Sequence, residues 1–184
     1  MNSDFDIALA ELGAVTGRID PSVIERALAM IADARRIVLY GCGREGLQLR
    51  GFAMRLHHLG LHVAMQGDMA APPVGPGDLL IVSAGPGELS TVTALMRVAR
   101  GAGADVLFVT AEPDTPSASF ATFVLSIPAQ TMARDQGASA TSILPMGSVF
   151  EGALFLLFEI MILRLRDRLG VTPEDMRARH TNLE

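Results

Sequence analysis

Residues 36–46 read Arg36-Ile37-Val38-Leu39-Tyr40-Gly41-Cys42-Gly43-Arg44-Glu45-Gly46. An uninterrupted apolar run ends in a glycine-rich turn, and an amphipathic segment from about 45 to 59 follows, which is the pattern of a strand, a tight turn and a helix. A strand exposed on one face would alternate apolar and polar residues; a continuous run predicts burial on both faces. The same alternation recurs downstream. Residues 62–65, 78–82, 105–110 and 122–127 read as strands, and 88–100 as a helix. The fold class is therefore α/β: a doubly wound, five-stranded parallel sheet flanked by helices, a flavodoxin-like three-layer sandwich.

Outward from this unit, residues 1–35 form an N-terminal helical arm, with one helix over 4–16 and another over 21–35, the second started by Asp20-Pro21 as N-cap and first-turn proline. Residues 36–184 make up the α/β core and the C-terminal helices, and the whole chain is one domain. A polar stretch at 128–145 is long enough to be a functional loop. The last long helix, 147–169, is stopped by Gly170, and Thr172-Pro173 starts a short one. Its most apolar part, 149–163, carries Glu151 and Glu159 and falls short of the roughly 20 residues of a membrane span. It reads as a buried helix, with no membrane as partner.

Composition narrows the chemistry. All fifteen basic residues are arginine. The absence of lysine excludes Schiff-base catalysis, a pyridoxal phosphate anchor and the lysine of a Walker A loop. A net charge of −5, no tryptophan and one tyrosine argue against nucleic acid as a partner. The single cysteine, Cys42, supports neither an internal disulfide nor a multi-cysteine metal site, and the stretch 1–6 lacks an apolar leader; both suit a cytoplasmic protein.

Ligands of this architecture bind at strand-to-helix turns, and two such turns are glycine-rich. One runs from Gly41 through Gly43 and Arg44 to Gly46; the other is Ser83-Ala84-Gly85-Pro86-Gly87-Glu88-Leu89-Ser90-Thr91. Either could bring backbone N–H groups and a helix N-terminus to an anion. Gly41 to Gly46 also spells G-x-G-x-x-G, the dinucleotide fingerprint, but the next strand ends at Met65-Gln66 without the acid that a nicotinamide site needs. His57, His58 and His62 are badly spaced for a metal, since neighbouring helical residues diverge by about 100°. Arg44, Arg55 and His58 could converge at a helix mouth, or Arg55 could belong to an exposed face. Glu151 opens an apolar helix, where burial would make it a general base, although an acid in a first turn is also favoured by the helix dipole. Glu159, if buried, would need an arginine partner.

Three segments carry a resemblance. Phe52-Ala53-Met54-Arg55-Leu56 with His58-Leu59-Gly60, Pro145-Met146-Gly147-Ser148 with Phe150-Glu151, and the tail Arg179-His180-Thr181-Asn182-Leu183-Glu184 are similar to the 6-phospho-3-hexuloisomerase family, a branch of the SIS (sugar isomerase) superfamily. Ile127-Pro128-Ala129 also fits. The resemblance implies a reversible conversion between 3-hexulose 6-phosphate and fructose 6-phosphate through an enediol, with no cofactor and no metal. It makes Glu151 the base, with His58 and His180 as candidates for ring opening or proton relay. It puts substrate contacts at Gly41, Gly43, Arg44, Arg55, Ser83, Gly85, Gly87, Ser90, Thr91 and Ser148. It further implies a homodimer or homotetramer with sites shared between subunits. The chain departs from the family's pattern at Glu45, which stands where a serine is usual, and at Ala84, Pro86 and Leu89, which replace hydroxyl residues. These changes leave open another sugar as substrate, or a non-catalytic sugar-binding module.

Overall fold

The apolar run becomes β1, Arg36–Gly41, which pairs in parallel with β2, Val63–Met65, on one side and β3, Asp78–Ser83, on the other. Beyond β3 lie β4, Asp105–Thr110, and β5, Phe123–Ser126, so the all-parallel order is β2-β1-β3-β4-β5. This is the doubly wound order expected, with its switch point between β1 and β3. The computed structural model describes residues 3–183; Met1 and Asn2, part of the stretch read for a leader, and Glu184, the last residue of the tail motif, lie outside the described residues.

Strand side chains sort by period two. Ile37 and Leu39, Leu79 and Ile81, and Leu107 and Val109 enter one core, while Val38, Leu80 and Val82, and Val106 and Phe108 enter the other. That division is why the strands are apolar without alternation. The first core is covered by α1 (Asp4–Thr16), α2 (Pro21–Asp33), α3 (Gly43–His58) and α5 (Ser148–Leu169), and the second chiefly by α4 (Ser90–Gly101). Between β4 and β5 the crossover carries only a 3₁₀ turn, Pro116–Phe120. A short helix, α6 (Pro173–Ala178), precedes the tail.

The N-terminal arm is fused to the core. Leu28 and Ile31 of α2 are fully buried in the cluster that holds β1 and β3. The expected buried helix α5 is buried on one side only: Phe150, Leu154, Leu157, Met161 and Leu165 lie in that cluster, while Phe155, Leu156, Ile160 and Leu163 are exposed. Helix boundaries move by about two residues from the sequence reading, the usual fraying range. At α2 the reason is specific: it stops at Asp33, and Arg35 is drawn off to an acid on β3.

That acid is Asp78, whose side chain has no exposed surface. Arg35 and Arg36 each place two nitrogens on its carboxylate, at 3.0–3.3 Å, and the Gly75 N–H adds a bond at 3.0 Å. Burial opposes the charge, but the bonds from Arg36, Gly75 and Arg35 outweigh it and hold the carboxyl below its ordinary 3.8. The cluster fixes the start of β3 against the start of β1. Replacing Asp78 by Ala leaves two arginines facing each other over an unsatisfied amide and should cost about 2–3 kcal/mol, since the arginines are partly solvated; urea denaturation of Asp78→Ala beside the parent measures it.

Candidate active site

The site begins with how closely α3 leaves β1. A Cβ on Gly46 would stand 2.4 Å from the Gly41 carbonyl oxygen, so glycine there is a packing requirement of the strand-to-helix turn. The dinucleotide-like spacing thus has a structural cause in this chain. α5 then docks beside α3 in parallel. Arg44 Nε meets Glu151 Oε2 at 2.7 Å, Phe52 stacks on Phe158 at 4.1 Å between ring centroids, and Arg55 Nε reaches Glu159 at 3.7 Å. The contacts advance together along both helices, so both N-termini open at the carboxyl end of the sheet. Their dipoles favour negative charge there.

Between these N-termini lies a cavity of about 350 Å³. Its floor is Gly43, Arg44 and Glu45 with Phe150 and Glu151; Pro86 and Leu89 form one wall, and Thr131, Met132, Met146 and Gly147 the roof. The roof is strained into place: Met146 has φ 53° and Gly147 φ 77°, and a Cβ on Gly147 would come within 2.6 Å of the Met132 nitrogen. The 128–145 loop that supplies it is tied down. The Gln130 amide oxygen accepts from the Thr141 and Ser142 N–H groups, and Glu11 of α1 accepts from the Ser142 hydroxyl and the Ile143 N–H. Arg18 also donates to the Pro128 carbonyl, and Arg134 pairs with Glu112.

Glu45 points inward. Its carboxylate accepts from the Ser83 hydroxyl, and the Gly85 N–H lies 3.0 Å from both of its oxygens. Burial raises its proton affinity above the ordinary 4.5; the Ser83 and Gly85 bonds oppose the rise, and the charge of Glu151 adds to it. Glu151 is also raised above 4.5, by burial in the cavity wall, with Arg44 pulling the other way. Its Oε2 is buried, and the close Arg44 contact is not aligned as a hydrogen bond. A desolvated carboxylate facing a cavity, with a cation beside it, is equipped to accept and return a proton.

Of the positions expected at the site, the fold gathers Gly43, Arg44 and Glu151 around the cavity, with Gly41 beneath and Ser83 and Gly85 reaching it through Glu45. It does not gather the rest within one chain. Ser90 and Thr91 are exposed on the first turn of α4, Gly87 packs against Glu112 and Thr115, and the Ser148 hydroxyl donates to the Pro145 carbonyl. Arg55 lies about three turns along α3 from Arg44. His58 is buried at the far end of that helix, about 21 Å of helical rise from Arg44, with its ring 5.3 Å from that of His180. Arg179 binds the His58 carbonyl at 3.0 Å, which fixes the tail there. Glu159 does have its arginine, although both partners are 42% exposed.

One contributor escaped the sequence reading: Thr131 is 3% exposed, and its Oγ1 has no hydrogen-bond partner among the described residues. Phe150, quoted in the motif with Glu151, fills the floor beneath Gly85, a contact that the sequence reading did not foresee. Thr131 sits in a polar loop with nothing local to single it out, whereas the small residue at 85 and the aromatic at 150 meet only in three dimensions.

Residues 30–156 match the SIS domain family. A relative from Mycobacterium gastri named 3-hexulose-6-phosphate isomerase is 36% identical over all of this chain and 92% of its own length. Another of that name, from Methylomonas aminofaciens, is 33% identical with full coverage of both chains. A crystal structure of a Methanococcus jannaschii protein, for which a 3-hexulose-6-phosphate isomerase function was inferred, superposes with a TM-score of 0.85 at 24% identity, covering 98% of this chain and 99% of the other.

The two raised carboxyls give stability a defined pH dependence. Each keeps a proton in the folded chain that the unfolded chain has released, so stability falls as pH climbs from about 4.5 through the folded values. Asp6, Asp20, Asp78 and Asp175, held below 3.8, act only at lower pH and in the opposite sense. Urea midpoints measured upward from pH 4.5 should decline in the parent, and the decline should flatten in the Glu45→Gln, Glu151→Gln double variant.

Proposed function

The chain belongs to the SIS domain family, in its 6-phospho-3-hexuloisomerase branch, and from that premise we propose that it is a sugar-phosphate isomerase interconverting 3-hexulose 6-phosphate and fructose 6-phosphate, with Glu151 as the base. The observation that carries this reading is the desolvated Glu151 carboxylate in the cavity wall, raised in proton affinity and steadied by Arg44. The names of the full-length relatives support the reaction class.

The reaction moves a carbonyl by one carbon. In the 3-ketose, C2 bears a hydrogen and a hydroxyl next to the C3 carbonyl. Glu151 takes the C2 hydrogen as a proton, the C2–H electron pair forms the C2–C3 double bond, and the C3 carbonyl becomes an enediolate oxygen. A proton passes between the oxygens on C2 and C3, the C2 oxygen closes to a carbonyl, and the double-bond electrons take the Glu151 proton onto C3. Atoms balance, and no electron leaves the substrate. Arg44 and the two converging helix N-termini stabilise the negative oxygen of the intermediate. A carboxyl with raised proton affinity is matched to both halves of the transfer.

The His58–His180 pair is too far along α3 to serve the cavity of its own chain. In our reading it serves the cavity of a neighbouring subunit in a homodimer or homotetramer, consistent with the exposed apolar side chains of α5. The enzyme works in the cytoplasm.

The test is formation of fructose 6-phosphate from the 3-ketose, followed with a coupled dehydrogenase. Glu151→Gln should lower kcat by about 10²–10⁴-fold with little change in KM; an undiminished rate removes Glu151 as the base, and no activity in the parent removes the substrate. If sites are shared, His180→Ala is impaired, and mixing it with Glu151→Gln after reversible dissociation should restore activity toward about a quarter of a dimer's sites.

A further inference from the structure

The donors best placed to hold an anion in this cavity are already occupied. Where β3 ends, the Ser83 hydroxyl and the Gly85 N–H face the opening of α3, and both donate to Glu45. A hydroxyl and a backbone amide beside a helix N-terminus would suit a phosphate or a carboxylate ligand. Here the chain supplies the carboxylate. The rest of the turn adds no donor side chain to the cavity, because Pro86 has no N–H and Leu89 presents carbon. A second carboxylate, Glu151, stands close enough to raise the proton affinity of Glu45. A phosphate at this turn would therefore meet two carboxyl groups and find the Ser83 and Gly85 donors already taken. A sugar hydroxyl would meet an acceptor, and the buried Thr131 Oγ1, without a partner among the described residues, lines the same cavity.

We propose that Glu45 is a specificity-determining residue: it makes the β3–α4 end of the cavity a subsite for sugar hydroxyls and closes it to phosphate. A phosphorylated sugar then binds with its phosphate turned away from Ser83 and Gly85, toward the open side where Arg44 is 64% exposed. The identity of the ligand as a sugar rests on the isomerase reading, but the closure of the turn to anions does not.

The test needs no turnover. Inorganic phosphate is titrated into ¹⁵N-labelled protein while the Gly85 amide resonance is followed, in the parent, in Glu45→Ala and in Glu45→Gln. The parent's Gly85 amide should stay in place. In Glu45→Ala it should move, with phosphate affinity raised at least about tenfold as the hydroxyl and amide are freed. Glu45→Gln keeps the volume and an acceptor oxygen but loses the charge, so its gain should be smaller, and it covers the case in which the Ala variant does not fold. Movement of Gly85 in the parent over the same phosphate range, or no gain in either variant, overturns the proposal. An isomerase assay without turnover would remove the proposed function and leave these spectra unchanged.

Discussion

The approach of α3 to β1 sets the geometry of everything above the sheet. Because Gly46 has no side chain, the helix starts against the Gly41 carbonyl, and its axis runs low enough over the sheet for α5 to lie alongside it. The parallel pairing of α3 and α5 then follows from their shared contacts at Arg44, Phe52 and Arg55. That pairing brings two helix N-termini and two carboxylates to one cavity. A side chain at position 46 would push the helix outward and separate Glu45 from Ser83. The geometry of the cavity and the packing geometry are thus one requirement, written in a single missing methyl group.

Much of the fold was legible because strand burial leaves a direct mark on composition. The runs at 37–39 and 79–82 are apolar at every position since successive side chains enter different cores, and the order of segments then leaves few topologies. The site was legible only where a residue's own neighbourhood constrains it. Glu151 could be found because an acid at the head of an apolar helix is conspicuous. Glu45 could be noticed as an oddity of the turn, but its inward direction depends on Ser83 and Gly85, 38 and 40 residues away at the end of β3. Arg55 and His58 lie on the same helix as Arg44, and sequence proximity suggested a convergence that the helical rise prevents within one chain. Thr131 had no signal, since the segment that packs against it, at Gly147, is distant in sequence.

The lack of lysine takes on a sharper meaning beside this geometry. Every cation near the described carboxylates is a guanidinium, which stays charged at any pH the protein meets and binds along a plane. At Asp78 two such planes clamp one buried acid. At Glu151 a single arginine approaches off the hydrogen-bond line, which leaves the carboxylate less committed to its partner. The same residue type is used once to lock an acid and once to hold one loosely, and the difference lies in the number of bonds and their alignment.

The bonds from Glu11 to Ser142 and Ile143 tie the N-terminal helix to the loop that carries Thr131. Two segments more than a hundred residues apart along the chain are thereby joined into one cooperative opening unit, because undocking α1 releases the loop's anchors and loosening the loop strips α1 of two of its polar contacts. Ligand binding beneath the loop would be felt as added protection of backbone amides at the opposite end of the sequence.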